Sequence, residues 1–196
     1  MHELLELTLL ELCERLRERR ASPVELMEAV LARIDATRDT LNAVVAVQPR
    51  EALLEQARDA ERRIRSGDAR PLEGVPLGVK DLENVAGMVT SNGSLLFKDD
   101  VAARDDIHVA RLRAAGAIPM AKTNAPEFGP TAITKNLLHG VTRNPWNLEH
   151  TPGGSSGGSS AALTGAVLPL VTASDGGGSI RIPAAWTGAF GLKPSH

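Results

Sequence analysis

The chain has 196 residues, a formal net charge of −2 at neutral pH and a pI near 6.2. That balance argues against nucleic acid or an anionic membrane as the main partner, and 42% hydrophobic with 23% charged residues suits a globular protein with a sizeable core. Cys13 stands alone and there is no tyrosine, so an internal disulfide, a thiolate metal site and a phenolic catalytic acid are all excluded.

The amino terminus, MHELLELTLLELCERLRERR, lacks the basic start and small-residue cleavage site of a signal peptide. No apolar run is long enough to span a bilayer, so a cytoplasmic location is expected. From Thr8 to Arg20, Leu9, Leu10, Leu12, Cys13 and Leu16 recur at helical spacing, which predicts an amphipathic helix with Cys13 in packing. Ser22-Pro23-Val24-Glu25 predicts the start of a second helix: Ser22 caps, Pro23 suits the first turn, and Glu25 closes a capping box. Leu41 to Val47 reads as a strand, and Pro49 opens a third helix to about Ser66. Residues 1–68 are therefore expected to form a helical section with one strand.

Residues 69–196 have a different character, an α/β core. Val75 to Val79 reads as a buried strand ending at Lys80-Asp81, Asp106 to Ala115 as a helix with Ile107, Val109 (or Ala110) and Leu112 inward, and Ala117 to Ala121 as a second strand. Ala125 to Asn147 reads mostly as loop. Ser156 to Gly165 is predicted as a helix of small residues, and Val167 to Thr172 as a strand that delivers Ser174 to Ser179 at its end, where sites in such sheets usually lie. Lys80 has two readings: a stem that snorkels to solvent, or a buried lysine whose ammonium is disfavoured and which acts as a general base. His2, His108, His139, His150 and His196 have no metal-ligand spacing, and surface or capping roles are expected for them.

The chemistry concentrates in Thr151 to Pro194, where Ser155-Ser156 and Gly176-Gly177-Gly178-Ser179 flank the apolar run Ala161 to Val171. Glycines let backbone N–H groups approach a bound atom, and N–H groups converging beside a serine hydroxyl suit acyl transfer. The apolar run argues against a flexible linker. A phosphate-binding loop would need a closing Lys-Ser or Lys-Thr, and no lysine lies between Lys135 and Lys193. Gly153 to Gly157 also fits a nucleophile elbow, an esterase reading with Ser155, Asp175 and His196, although NPWNLEHTP before it is poor strand material.

Taken together, these motifs resemble the amidase signature family. The match runs from about Leu72 to Pro194 through Gly74-Val75-Pro76, Val79-Lys80-Asp81, Ala121-Lys122-Thr123-Asn124, Glu127-Phe128, Asn144-Pro145-Trp146, Pro152 to Gly158, Ser174 to Arg181 and Gly191-Leu192-Lys193-Pro194. The resemblance implies a mixed β-sheet covered by helices and a Ser–cis-Ser–Lys triad: Ser179 as nucleophile, Ser155 as a bridging serine on a cis peptide, and Lys80 as base. It implies an oxyanion hole from the N–H groups of Gly176, Gly177 and Gly178, with Ser156, Asp175 and Arg181 as supports. The implied reaction is hydrolysis of a small-molecule carboxylic amide without metal or cofactor. A second implied role is the amidase component of a tRNA-dependent amidotransferase. Family chains are more than twice as long, so this one is expected to be an amino-terminal part. It is then expected to have an incomplete sheet, to associate with a carboxyl-terminal half or with itself, and to be, on a third reading, an inactive half-domain.

Overall fold

The computed structural model describes residues 2–195. Thr8 caps helix α1 (Leu9–Arg17), and its capping box is closed: Thr8 Oγ1 accepts from Glu11 N–H while the Glu11 carboxylate takes Thr8 N–H. Ser22 caps α2 (Pro23–Leu41) through the N–H groups of Val24 and Glu25. The expected box fails there, because the Ser22 hydroxyl donates to Glu61 and Glu25 turns towards His2, 3.7 Å away. The helix runs on to Leu41, and Asn42 ends it in the left-handed conformation, so the strand expected from Leu41 shortens to β1 (Val44–Val47). Helix α3 (Arg50–Ser66) follows Pro49 and ends at Gly67, which has φ +87°.

Three further strands build the sheet: β2 (Pro76–Lys80), β3 (Ile118–Thr123) and β6 (Leu170–Val171). Their order is β1-β3-β2-β6, with β2 parallel to both neighbours and β1 antiparallel to β3. The expected mixed sheet is thus present, with β1 and β6 at its edges. Helix α4 (Ile107–Ala114) joins β2 to β3 with Val109 inward as expected, but Ile107 is 74% exposed, an outward position at the first helical residue. A small ribbon, β4 (Lys135–Asn136) with β5 (Gly140–Val141), interrupts the predicted loop. Helix α5 (Gly157–Thr164) packs on all four strands of the sheet. A helix that the sequence did not foretell, α6 (Arg181–Thr187), forms over the stretch after Ser179; Pro183 is tolerated because it lies in the first turn.

Apolar packing divides between the two faces of the sheet. One cluster joins α1, α2, α3 and α5 to Ile118 and Met120, and a smaller one gathers Leu77, Val79, Val85, Met88 and Val109. Alternation along β2 therefore sends Leu77 and Val79 towards α4 and Gly78 and Lys80 towards α5. Several large apolar side chains remain open to solvent, among them Leu96, Leu137, Trp146 and Phe190. Among the described residues no helix is long and apolar enough to cross a membrane, and no group of His, Cys, Asp and Glu is arranged to hold a metal ion.

Candidate active site

Lys80 ends β2 with 0% exposure, so the snorkelling alternative is not the one the fold adopts. Its Nζ donates to Ser155 Oγ at 2.8 Å and to Ser174 Oγ at 3.0 Å. Burial, the main influence, pulls the lysine down to about 8, against the raising effects of Glu83 and then Asp175. A fraction of Lys80 is therefore neutral near pH 7. The contact with Ser174 carries no signal in the sequence, since only the fold brings that hydroxyl, from the loop after β6, onto the end of β2.

Ser155 is buried in the turn that leads into α5, and the Gly154–Ser155 peptide is cis. The glycines around it are packed rather than loose. A Cβ on Gly154 would stand 2.8 Å from the Thr131 carbonyl oxygen, and one on Gly158 would collide with the backbone of Asn124. Thr134 Oγ1 donates to Gly153 O at 2.8 Å and holds the same turn. Ser156 links it to the loop after β6: its hydroxyl donates to Ser174 O at 3.3 Å, and its N–H donates to Ser179 O at 3.2 Å.

That second loop is organised around Asp175, whose side chain is inaccessible to solvent. It accepts Arg181 Nε at 3.0 Å and Nη2 at 3.0 Å, and the N–H groups of Gly178, Ile180 and Arg181 at 2.6, 3.1 and 3.2 Å. The Arg181 guanidinium, with those N–H groups and against the opposing effect of burial, holds the Asp175 carboxyl well below the usual carboxylate range. Of the three glycines expected to present donors, Gly178 thus has its N–H engaged by Asp175. The N–H groups of Gly176, Gly177 and Ser179 meet no acceptor among the described residues, and the first two glycines are exposed with open space beside them. Ser179 is half-buried and held by its carbonyl, and its hydroxyl makes no hydrogen bond to Ser155 in this arrangement. The structure therefore joins Lys80 to Ser155 directly, and Ser179 to that pair through the backbone of Ser156. His196, needed for the esterase reading, lies outside the described residues, and the Asp175 carboxylate is taken up by Arg181 and the loop.

A second buried lysine lies one strand away. Lys122 on β3, also 0% exposed, donates to Glu83 O at 2.7 Å and Thr90 Oγ1 at 2.9 Å, with Asp81 Oδ1 at 3.4 Å. Burial lowers its proton affinity as well, and Asp81 opposes that.

A mixed sheet whose strand β2 ends in a buried lysine, a serine in the turn above it and a glycine-serine loop alongside define the amidase class of α/β proteins. The Amidase family model matches residues 25–196, and the chain belongs to that family. It is 42% identical over 194 residues to a glutamyl-tRNA(Gln) amidotransferase subunit from Geobacter sp. (strain M21), covering 99% of this chain and 40% of that protein. Among solved structures it resembles a bacterial aryl acylamidase of the amidase signature family, with TM-score 0.91, 34% identity and coverage of 96% of this chain and 39% of the other. It also resembles the native peptide amidase from Stenotrophomonas maltophilia, with TM-score 0.85, 35% identity and coverage of 92% and 38%. The chain spans about 40% of the length of the relatives it matches.

Proposed function

We propose that this chain carries the catalytic constellation of an amide hydrolase, with Ser179 as nucleophile, Ser155 as proton relay and Lys80 as base. The observation that carries the reading is the buried 2.8 Å bond from Lys80 Nζ to Ser155 Oγ, on a lysine with no carboxylate among its hydrogen-bond partners. Ser179 Oγ bonds to the amide carbonyl carbon as its proton passes to Ser155, and the Ser155 proton passes to neutral Lys80. The carbonyl oxygen, now an oxyanion, is received by free N–H groups of the Gly176–Ser179 loop. The C–N bond then breaks as Lys80 returns the proton through Ser155 to the leaving nitrogen, which departs as ammonia or an amine. Water attacks the acyl ester by the same route and frees the acid. Ser156, Asp175 and Arg181 hold the two loops in register.

The name shared by the curated relatives favours a second reading of the same site. In it the chain is part of an amidotransferase component that passes ammonia to a partner instead of releasing it. On either reading the substrate is a carboxylic amide, the setting is cytoplasmic, and the apolar surface left open is covered by further family sequence or by another copy. Fluorophosphonate labelling with peptide mapping tests the site. The adduct is expected on Ser179 and to vanish in Ser179→Ala. An adduct on Ser155 would restore the esterase reading, and none on the folded chain would leave an inactive half-domain. Ammonia capture with partner proteins present separates hydrolase from amidotransferase.

A further inference from the structure

Glu83 lies in the turn after β2, three residues beyond Lys80, and takes no part in the chemistry described. Its side chain is buried, yet it is tied on both sides. His108 Nε2, on the half-exposed side chain of α4, lies 3.0 Å from Glu83 Oε2. The Thr172 hydroxyl donates to that same oxygen, and Thr172 Oγ1 in turn accepts the Lys80 backbone N–H at 3.0 Å. An unbroken hydrogen-bonded path therefore runs from a helix surface, through a buried carboxylate, to the backbone of the lysine. The other charged groups nearby are already matched. Asp175 is held by Arg181, α5 carries no charged residue, and Lys122, which faces Asp81 at 3.4 Å, also donates to Glu83 O at 2.7 Å from the β3 side. Asp106, at the start of α4, accepts Asn84 N–H at 2.9 Å.

We propose that Glu83 is a positioning residue for Lys80: gripped by His108 and Thr172, it fixes the lysine's backbone and sets how readily its ammonium releases a proton. The proposal rests on Lys80 acting as the base, but its test does not need turnover. The chain has five lysines, so a chain labelled with ¹³C at lysine Cε gives few resonances, and Lys80→Met identifies the one from Lys80. Glu83→Gln keeps the shape and an acceptor for Thr172 but removes the charge. The Lys80 titration midpoint is expected to fall by about one pH unit, because an anion that favours the ammonium is gone. His108→Arg, at a position tolerant of a long side chain, places a permanent cation on Glu83 and is expected to lower the midpoint by a smaller amount. A folded Glu83→Gln chain with an unchanged or raised midpoint overturns the proposal. If that variant does not fold, the sign of the His108→Arg shift decides in the same way. Failure of the chain to label or hydrolyse any amide would count against the amidase reading alone, since the midpoint is read without it.

Discussion

Lys80 ends β2 and Lys122 lies one residue before the end of the parallel neighbour β3, Val79 pairing with Lys122 and Lys80 with Thr123, and neither is reached by solvent. Alternation sends them to opposite faces: Lys80 towards α5 and the serine loops, Lys122 towards the segment after β2 that carries Asp81, Glu83 and Thr90. Burial weakens the proton affinity of both, yet their partners differ in kind. Lys122 has a carboxylate, a carbonyl oxygen and a hydroxyl, the set that keeps an ammonium charged and turns it into a strut. Lys80 has two hydroxyls, which can accept from an ammonium or donate to a neutral amine. Burial by itself does not suit a lysine to be a base; the proposed role of Lys80 rests on burial beside partners that tolerate either protonation state.

The sharpest way to break this contrast is to replace each lysine by methionine. Lys80→Met is expected to slow fluorophosphonate reaction at Ser179 by about 10²–10⁴-fold, the usual contribution of a general base, with the far-UV circular dichroism unchanged. A mild loss there would remove Lys80 from the mechanism. Lys122→Met is expected to cost about 3–5 kcal/mol in urea unfolding, because Asp81 is left buried without its cation. If Lys122→Met instead proved as stable as the parent, the strut role would be lost.

A smaller effect should appear in the pH profile of Ser179 labelling. On the proposed mechanism the neutral lysine is the active form, so the rate should climb about tenfold per unit from low pH and level off above about 8. A profile flat through that range would mean that Lys80 does not titrate in the reaction. Ser174→Ala should have the least effect, since it removes one of two hydroxyl partners worth about 0.5–1.5 kcal/mol. A few-fold change in labelling rate is expected, whereas a loss as large as that of Lys80→Met would make Ser174 a member of the relay.

Much of this was legible in residue order, because local chemistry decides it. Thr8 with Glu11, Pro23, Pro49 and Gly67 mark helix ends through caps and fixed φ angles, and the glycines around Ser155 mark a loop that must pack closely. Long-range pairing was not legible. Whether Lys80 snorkels or stays inside depends on residues 75 and 94 positions away, and nothing around Glu83 signals that Thr172 will close on it. Two local readings also went astray. The capping box expected at Ser22 stays open because Glu25 turns towards His2, and helical spacing placed Ile107 inward although its position at the helix start leaves it in solvent.

The Asp175 collar has a consequence for the order of folding. Its bonds to Gly178, Ile180 and Arg181 span three to six residues, so closing that loop costs little chain entropy. The bond from Lys80 to Ser155 closes 75 residues and waits for the sheet to assemble. When the whole chain folds, the Asp175 loop can therefore close before Lys80 meets Ser155, and on the proposed mechanism Ser179 would lack its base while partly folded backbone, itself full of amides, is within reach.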